Sequence, residues 1–272
     1  MTLLLQVSDP HFGTERAPVM QALLRLARAH APDVLLLSGD ITQRGRRAQY
    51  AAARAFVERL GVPRILAIPG NPDVPLFNVA ARVLSPYREH VRAFGAELEP
   101  QLVTADLLLL ALNTTRPWRH KDGEVSPAQV QRVVDRLRDA PRGQLRVVVT
   151  HQPACVMRPE DKKDRLHGGE QAVQAWARAG ADLVLGGHIH LPYVSDACAI
   201  ADSRTSRPLY CVQAGTALSH RVRHGTPNSV NLVRWNPPAD GSARICRVER
   251  WDFDLADGQF ELTHPYQLQL GD

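Results

Sequence analysis

The strongest constraint on the fold is a series of short apolar runs that alternate with amphipathic segments. Each run is four to six residues long and rich in Leu, Val and Ile, which is typical of strands buried on both faces of a sheet. The runs are Leu3–Val7, Val34–Ser38, Arg64–Ile68, Leu107–Leu112, Leu145–Thr150 and Leu183–Gly186. This alternation predicts a layered α/β fold.

Amphipathic helices are predicted between the runs, at Pro18–His30, Arg47–Leu60, Ser126–Leu137 and Gly169–Ala179. Beyond about residue 190 the pattern changes to strands joined by turns, which indicates antiparallel pairing. These later strands are predicted at 193–197, 209–213, 229–234 and 243–251. We therefore expect a single domain over residues 1–272, in which a second sheet packs on the first and helices lie outside.

The composition is that of an ordinary globular protein and narrows the range of partners. Hydrophobic residues make up 44% of the chain and charged residues 22%, so nothing predicts disorder. The net charge of +5 suits an enzyme that attracts phosphate anions. It would also suit a nucleic-acid partner, but the arginines are scattered along the chain and form no basic tail, which disfavours that partner.

Cysteine usage and hydropathy indicate the compartment. The four cysteines show no CxxC spacing and are expected to be reduced, buried residues. Met1 is followed directly by an apolar strand, without a basic segment or cleavage site. Since apolar runs stay well short of the ~20 residues of a membrane span, we expect a soluble, cytoplasmic protein with no membrane partner.

Polar residues of only three types follow the predicted strands, at the end where open α/β sheets place their ligands. Taken singly, each has an ordinary explanation as a turn former or helix cap. As an ordered set delivered by five strands, Asp, Asn and His predict a metal site. The predicted ligands are Asp9, His11, Asp40, Asn71, His151, His188 and His190.

The ligand types indicate which ions the site takes. Imidazoles, carboxylates and an amide oxygen suit divalent Mn, Fe or Zn better than ions that prefer thiolates. Seven ligands are too many for one tetrahedral ion and fit two ions that share a carboxylate. Two such ions, roughly 3.5–4 Å apart, can bridge a hydroxide and clamp the oxygens of an in-line displacement at phosphorus. The hypothesis is a phosphoester hydrolase with that hydroxide as nucleophile.

The order of the motifs resembles that of the calcineurin-like metallophosphoesterase superfamily, and particularly its bacterial class III cyclic-nucleotide phosphodiesterase-like branch. The matching motifs are D-x-H, G-D, G-N-x-D, an isolated His and G-H-x-H, and the resemblance extends from Leu3 to about residue 235. It implies a four-layer αββα sandwich of two mixed sheets flanked by helices. It also implies that one ion is held by Asp9, His11, Asp40 and His190, and the second by Asp40, Asn71, His151 and His188.

The chain departs from the family pattern at the third motif, where Pro72 replaces the usual histidine. In relatives that histidine contacts the phosphate and is thought to protonate the leaving oxygen, which proline cannot do. Three hypotheses stay open: catalysis on the metals alone, a substitute acid, or binding of metal and nucleotide without turnover. Candidate substitute acids are His120, His167, His220 and His224.

Three further residues are predicted to take part in catalysis, namely Asp73, Arg116 and His220. Asp73 keeps its place in the third motif, and Arg116 follows a predicted strand, from which it could reach a substrate phosphate. An arginine paired with a surface carboxylate is the alternative for Arg116. The expected substrate is a small phosphoester such as a nucleotide; a nuclease-like activity is the alternative that the positive charge permits.

Overall fold

Strands and helices alternate through the first part of the chain, as the apolar runs predict. The computed structural model describes residues 1–76, 79–200, 207–223, 225–239 and 242–271. The first elements are β1 (Thr2–Val7), α1 (Ala17–His30), β2 (Val34–Ser38), α2 (Arg47–Leu60), β3 (Arg64–Ile68), α3 (Val79–Leu84), α4 (Arg88–Phe94), β4 (Gln101–Val103), β5 (Leu107–Ala111) and α5 (Pro127–Arg138). Ser126 caps α5 by accepting a hydrogen bond from the Gln129 amide, and Pro127 occupies its first turn.

Strands dominate the second part. Its elements are β6 (Leu145–Val149), α6 (Gly169–Ala179), β7 (Leu183–Gly186), β8 (Tyr193–Asp196), α7 (Ala197–Ile200), β9 (Tyr210–Gln213), β10 (Ser229–Trp235), β11 (Ile245–Asp254) and β12 (Gln259–Gln269). Two 3₁₀ turns complete the description, at Asn71–Asp73 and Pro159–Asp164.

The strands form two mixed six-stranded sheets. The first has the order β12-β11-β10-β1-β2-β3, and the second β4-β5-β6-β7-β9-β8. Strands β1, β2 and β3 are parallel, as are β5, β6, β7 and β9, whereas β10, β11 and β12 pair antiparallel. The parallel strands of both sheets carry the predicted ligands at their carboxyl ends.

Three apolar clusters define four layers. One cluster lies between the sheets and includes Leu36 from β2 and Val147 from β6. A second packs α1 and α2 on the first sheet, and a third packs α5 and α6 on the second sheet. The predicted αββα sandwich is confirmed by this arrangement.

Some elements differ from the sequence-based expectation. The expected strand at 243–251 is β11, which runs from Ile245 to Asp254, and it pairs with the long β12, which was not predicted. Most of β12 is exposed, with Phe260 and Leu268 among its few buried residues, so it shows no apolar pattern. Within the described ranges, no helix is both long enough and apolar enough to cross a membrane.

Candidate metal centre

The structure brings six of the seven predicted ligands together in two groups at the carboxyl ends of β1, β2, β6 and β7. Within each group the ligand atoms lie within 4.8 Å of one another. The first group, called site A here, consists of Asp9, His11, Asp40 and His190. The second, site B, consists of Asp40, His151 and His188. Asp40 therefore belongs to both groups, and the two sheets contribute side chains to each.

The backbone at this edge is held in an unusual conformation. Among the described residues, six that are not glycine have positive φ, and five of these are predicted ligands: Asp9, His11, Asp40, His188 and His190, with φ between 46° and 72°. A left-handed conformation costs a non-glycine residue about 1–3 kcal/mol and persists only where the surroundings enforce it. Strain concentrated on the ligands is typical of a functional site.

Two glycines allow the ligand loops to approach each other closely. A Cβ atom on Gly70 would clash with the side chain and backbone of Asp40, and one on Gly187 would clash with Ser8 and the Asp9 carboxylate. These positions therefore require glycine for steric reasons.

In site B, a backbone contact orients the imidazole of His151. Its Nδ1 lies 2.9 Å from the Ser38 carbonyl oxygen, to which it donates, so Nε2 is left as an acceptor. That Nε2 lies 2.8 Å from Asp40 Oδ1, which is also an acceptor. Two acceptors at this distance repel each other unless a proton or a metal ion lies between them.

Site A repeats the arrangement. His190 Nδ1 lies 2.6 Å from the Arg221 carbonyl oxygen and donates to it, which turns Nε2 towards the other ligands. His190 Nε2 is 3.1 Å from His11 Nε2 and 3.3 Å from Asp9 Oδ1. The second oxygen of Asp9 accepts from the Ser8 hydroxyl at 2.6 Å.

Orphaned polar atoms show that a cation fits. Asp40 Oδ1 and His151 Nε2 are buried and face only each other, at 2.8 Å, and His188 Nδ1 is buried with no hydrogen-bond partner among the described residues. Leaving such atoms unsatisfied is costly, and a divalent ion would coordinate them. Imidazole and carboxylate donors are those that Mn, Fe and Zn prefer.

Burial and charge set the protonation of these groups. Burial lowers the pKa of His11 to about 4, and burial together with the nearby charge of His151 lowers the pKa of His188 to about 4. Burial would also lower the pKa of His151, but the Asp40 carboxylate outweighs it and raises that pKa to about 9. Although burial opposes it, the imidazole partners lower the pKa of both Asp9 and Asp40.

Asn71, the seventh predicted ligand, stands beside site B in a hydrogen-bonded position. Its Oδ1 accepts from Gln152 Nε2 at 2.7 Å, and its Nδ2 donates to the His120 carbonyl at 3.2 Å. Gln152 thus orients the amide oxygen that a metal would need. The sequence carried no signal for this role, because Gln152 and Asn71 are 81 positions apart.

A cavity of about 970 Å³ opens above the two sites. Asp40, Asn71, His188 and His190 lie on its wall, and so does Pro72. Of the candidate substitute acids, His120 lines this cavity, whereas His167 and His220 are not among its described lining residues and His224 lies outside the described residues.

The three predicted catalytic side chains lie outside the described lining of the cavity. Asp73 is buried and accepts hydrogen bonds from the amides of Ile41, Thr42 and Gly70 and from the Thr42 hydroxyl. Burial, with the charge of Asp40, raises its pKa to about 6. Its contacts join the loops that carry Asp40 and Asn71, which is a positioning role.

Arg116 and His220 are likewise placed by contacts to the scaffold. Arg116 donates to the carbonyl oxygens of Asn113 and Thr115 and to Gln129 Oε1, so its guanidinium holds its own loop. His220 is exposed, and its backbone amide donates to the Thr14 carbonyl. The following residues Arg221, Val222 and Arg223 line the cavity.

The two-sheet sandwich and the paired ligand groups define the class of dinuclear metal-dependent phosphoesterases, and comparison with known proteins agrees. The model of the calcineurin-like phosphoesterase family matches residues 2–192. The chain belongs to this family and is a metallophosphoesterase, a phosphoric ester hydrolase.

The chain is also similar to individual proteins, in sequence to one and in fold to two others. A probable cyclic nucleotide phosphodiesterase from Synechococcus is 29% identical over 207 residues, which cover 71% of this chain and 76% of that protein. A dimetal phosphatase from Danio rerio has the same fold with a TM-score of 0.65 at 13% identity, over 99% of each chain. A purple acid phosphatase from yellow lupin gives 0.65 at 11% identity over 98% of this chain; the chain spans about half (53%) of the lupin protein.

Proposed function

We propose that this protein hydrolyses a small phosphoester, nucleotidic in character, with two divalent cations bound at sites A and B. The observation that carries the proposal is that Asp40 belongs to both ligand groups, because a shared carboxylate is what a pair of ions requires. When bound, two divalent cations supply Lewis-acid charge and a water molecule of lowered pKa for attack at phosphorus. Mn, Fe and Zn fit the donors.

Each side chain has a proposed task in this scheme. Asp9, His11, Asp40 and His190 would hold one ion, and Asp40, Asn71, His151 and His188 the other. The carbonyl oxygens of Ser38 and Arg221 fix the imidazoles of His151 and His190. Arg221, beside His11, and His120, whose carbonyl accepts from Asn71, would contact the substrate, while Asp73 and Arg116 act on loop position.

The first test is an activity screen with several metals. The metal-stripped protein is reconstituted with Mn²⁺, Fe²⁺ or Zn²⁺ and assayed on phosphomonoesters, activated phosphodiesters and cyclic nucleotides. Turnover that depends on the metal supports the proposal, and cyclic nucleotides are included because of the Synechococcus relative. If the loaded protein binds nucleotide but exceeds the metal-free control on no substrate, it is a binding protein without turnover.

The second test addresses the leaving-group acid. Positioned acids are typically worth about 10²–10⁴-fold in rate. If catalysis proceeds without one, Pro72→His should increase kcat most for esters with poor leaving groups and least for p-nitrophenyl esters. Equal activity of wild type and variant on both kinds of ester would instead favour a substitute acid, for which His120 is the candidate on the cavity wall.

We also propose that residues 1–272 form one domain in a cytoplasmic protein. The apolar cluster shared by the two sheets supports a single unit. All four cysteines are buried, which suits a reducing compartment. One cooperative unfolding transition, and fractionation of the native protein with the cytosol, are the expected results.

A further inference from the structure

The mouth of the cavity carries cationic side chains from four separate loops. Arg44 follows β2, Lys121 precedes α5, Lys163 lies in the second 3₁₀ turn and Arg221 follows β9. Within the described part of the chain, none of these four is in an ion pair with a carboxylate. Arg223, also in the lining, is different: it is bound to both oxygens of Asp161, at 2.9 and 3.1 Å. The four other cations are available to a ligand.

Arg221 lies beside site A, and it contacts the segment that carries Arg44. Arg221 Nη1 donates to Gln43 Oε1 at 3.2 Å and lies 3.4 Å from His11 Nδ1. Arg44 is the next residue after Gln43, and its amide donates to Gln49 Oε1 at 3.0 Å. Arg221 therefore connects site A to the Gln43–Arg44 segment, and both arginines line the cavity. We call Gln43, Arg44 and Arg221 the arginine corner.

The charge around the cavity is uneven. Apart from the proposed metal ligand Asp40, its acidic lining residues are Glu160, Asp161 and Asp164, all in the 3₁₀ turn that also carries Lys163. Arg223 already neutralises Asp161. Arg44, Arg221 and Lys121 lie on other loops and form no ion pair among the described residues, so the excess positive charge lies outside this turn, and two of its three cations belong to the arginine corner.

This excess is larger than a simple phosphodiester needs. Such an ester carries one negative charge, which two divalent cations at sites A and B would neutralise. Guanidinium groups favour phosphate because their donors match its oxygens in pairs. The volume of about 970 Å³ lies at the upper end of the range for small-molecule pockets, so it leaves room beside the reacting group.

We infer that the arginine corner is a second anion subsite, and that the substrate carries a further phosphate group besides the phosphoryl group that is cleaved. The inference rests on the proposed function, because the cleaved group is assigned to sites A and B. It makes a nucleotide with an additional phosphate a better substrate than the same nucleotide without one.

The test compares two substrates that differ only in that group. These are the p-nitrophenyl ester of thymidine 5′-phosphate and the same ester with a 3′-phosphate, both assayed with Mn²⁺-loaded protein. One or two charge-assisted hydrogen bonds predict a kcat/KM about 10–100-fold higher for the 3′-phosphorylated ester. In Arg44→Gln/Arg221→Gln the ratio should fall to about 1–3.

Two further variants serve as controls. Arg59→Gln removes the same charge from the exposed end of α2, away from the cavity, and should keep the wild-type ratio. Lys121→Gln removes a charge from the cavity lining outside the arginine corner. Loss of the preference in Lys121→Gln, with its retention in the double arginine variant, would overturn the assignment.

Binding gives a readout that does not need turnover. Calorimetry should show that Mn²⁺-loaded protein binds thymidine 3′,5′-bisphosphate about 10–100-fold more tightly than thymidine 5′-phosphate, with a steeper loss on added salt. A 3′-succinyl analogue, which presents a carboxylate, should bind more weakly than the bisphosphate. Equal affinity for the analogue would contradict a phosphate subsite.

Different results would refute the anion subsite and the hydrolase activity. If the unphosphorylated ester is hydrolysed and a 3′-phosphate improves neither kcat/KM nor binding, the subsite is refuted and the proposed function stands. If nothing is hydrolysed but the bisphosphate binds through the two arginines, the subsite stands and the hydrolase proposal fails.

Discussion

Strands β6 and β7 carry buried charge at both ends, and the two ends differ in how that charge is satisfied. At the amino end, both oxygens of Asp182 are hydrogen-bonded, to Arg244 at 2.8 Å on each oxygen, to Arg207 at 2.5 Å and to the Arg146 amide at 2.9 Å. At the carboxyl end lie the histidines of sites A and B, where Asp40 Oδ1 and His151 Nε2 face only each other and His188 Nδ1 has no hydrogen-bond partner among the described residues.

Backbone conformation separates the two ends as well. Five of the positive-φ residues are ligands at the carboxyl end, whereas Asp182, Arg146, Arg207 and Arg244 are absent from that set in the described ranges. Burial of charge is therefore common to both ends and does not identify a site. A site is identified instead by unsatisfied ligand atoms on a strained backbone, and four experiments test this distinction.

The largest effect is expected from Asp40→Asn, which changes the carboxylate shared by sites A and B. Metal content, measured by mass spectrometry, should fall from about two ions per chain to nearly none. Activity should fall on the order of 10³-fold or more, because the ions supply several kcal/mol of transition-state stabilisation. Asp135→Asn, on the exposed face of α5, is the matched control. A variant that keeps both ions would show that Asp40 does not bridge them.

Asp182→Asn should have the opposite effect to Asp40→Asn, because it should lower stability and leave metal binding intact. Removing one partner of a buried ion pair leaves arginine charge uncompensated and typically costs about 3–5 kcal/mol. We expect the free energy of unfolding, measured in urea, to fall by that amount, while the folded protein still binds two ions. If this variant lost its metal but kept full stability, the amino ends of these strands would contribute to metal binding, and the distinction between the two ends would be wrong.

The pH dependence of stability tests the charge pair of site B. The pKa of His151 is raised to about 9 by Asp40, so in metal-stripped protein this group stabilises the fold fully below its unfolded pKa, near 6.5. That contribution is lost as the pH rises towards 9. Between pH 6.5 and 8.5 the free energy of unfolding should decrease by on the order of 2 kcal/mol.

The matching variant is His151→Gln, in which this decrease should disappear. If the free energy of unfolding decreased equally in wild type and variant, a titratable group other than His151 would be responsible. The lowered pKa values of His11 and His188 act in a separate window, since they reduce stability only as the pH falls from about 6.5 towards 4.

The smallest structural change that we consider is a single added methyl group. In Gly70→Ala the new Cβ must displace Asp40, and overpacking of this kind costs about 1–3 kcal/mol. Gly143→Ala is the control, because no described atom outside its neighbours lies within 4 Å of the added carbon. Both thermal unfolding and metal affinity should fall in the first variant and stay near wild type in the second.

The clustering of six of the seven proposed metal ligands was predictable because their signal is local. Each follows an apolar run directly, and only Asp, Asn and His occur at those positions, so strand ends and residue chemistry point to the same edge. What relates distant residues was not predictable. Arg221 is 210 positions from His11, and Asp182 meets Arg244 across 62, with no pattern that links either pair.

The roles of the predicted catalytic residues were also hard to predict, because they depend on contacts between loops. Asp73 and Arg116 follow strands as the proposed ligands do. In the folded protein, however, Asp73 accepts a hydrogen bond from Thr42 and Arg116 donates one to Gln129. These contacts form only when the loops fold together. The exposed strand β12 was missed because an edge strand needs few buried residues.

The division of the ligands between the two sheets has a consequence for how the protein matures. His151 reaches back 113 positions to Ser38, and His188 reaches back 179 positions to Asp9. Neither site can therefore exist until both sheets have docked. We expect ions to bind only the finished fold and to add their binding energy to its stability, so that metal uptake marks the completion of folding.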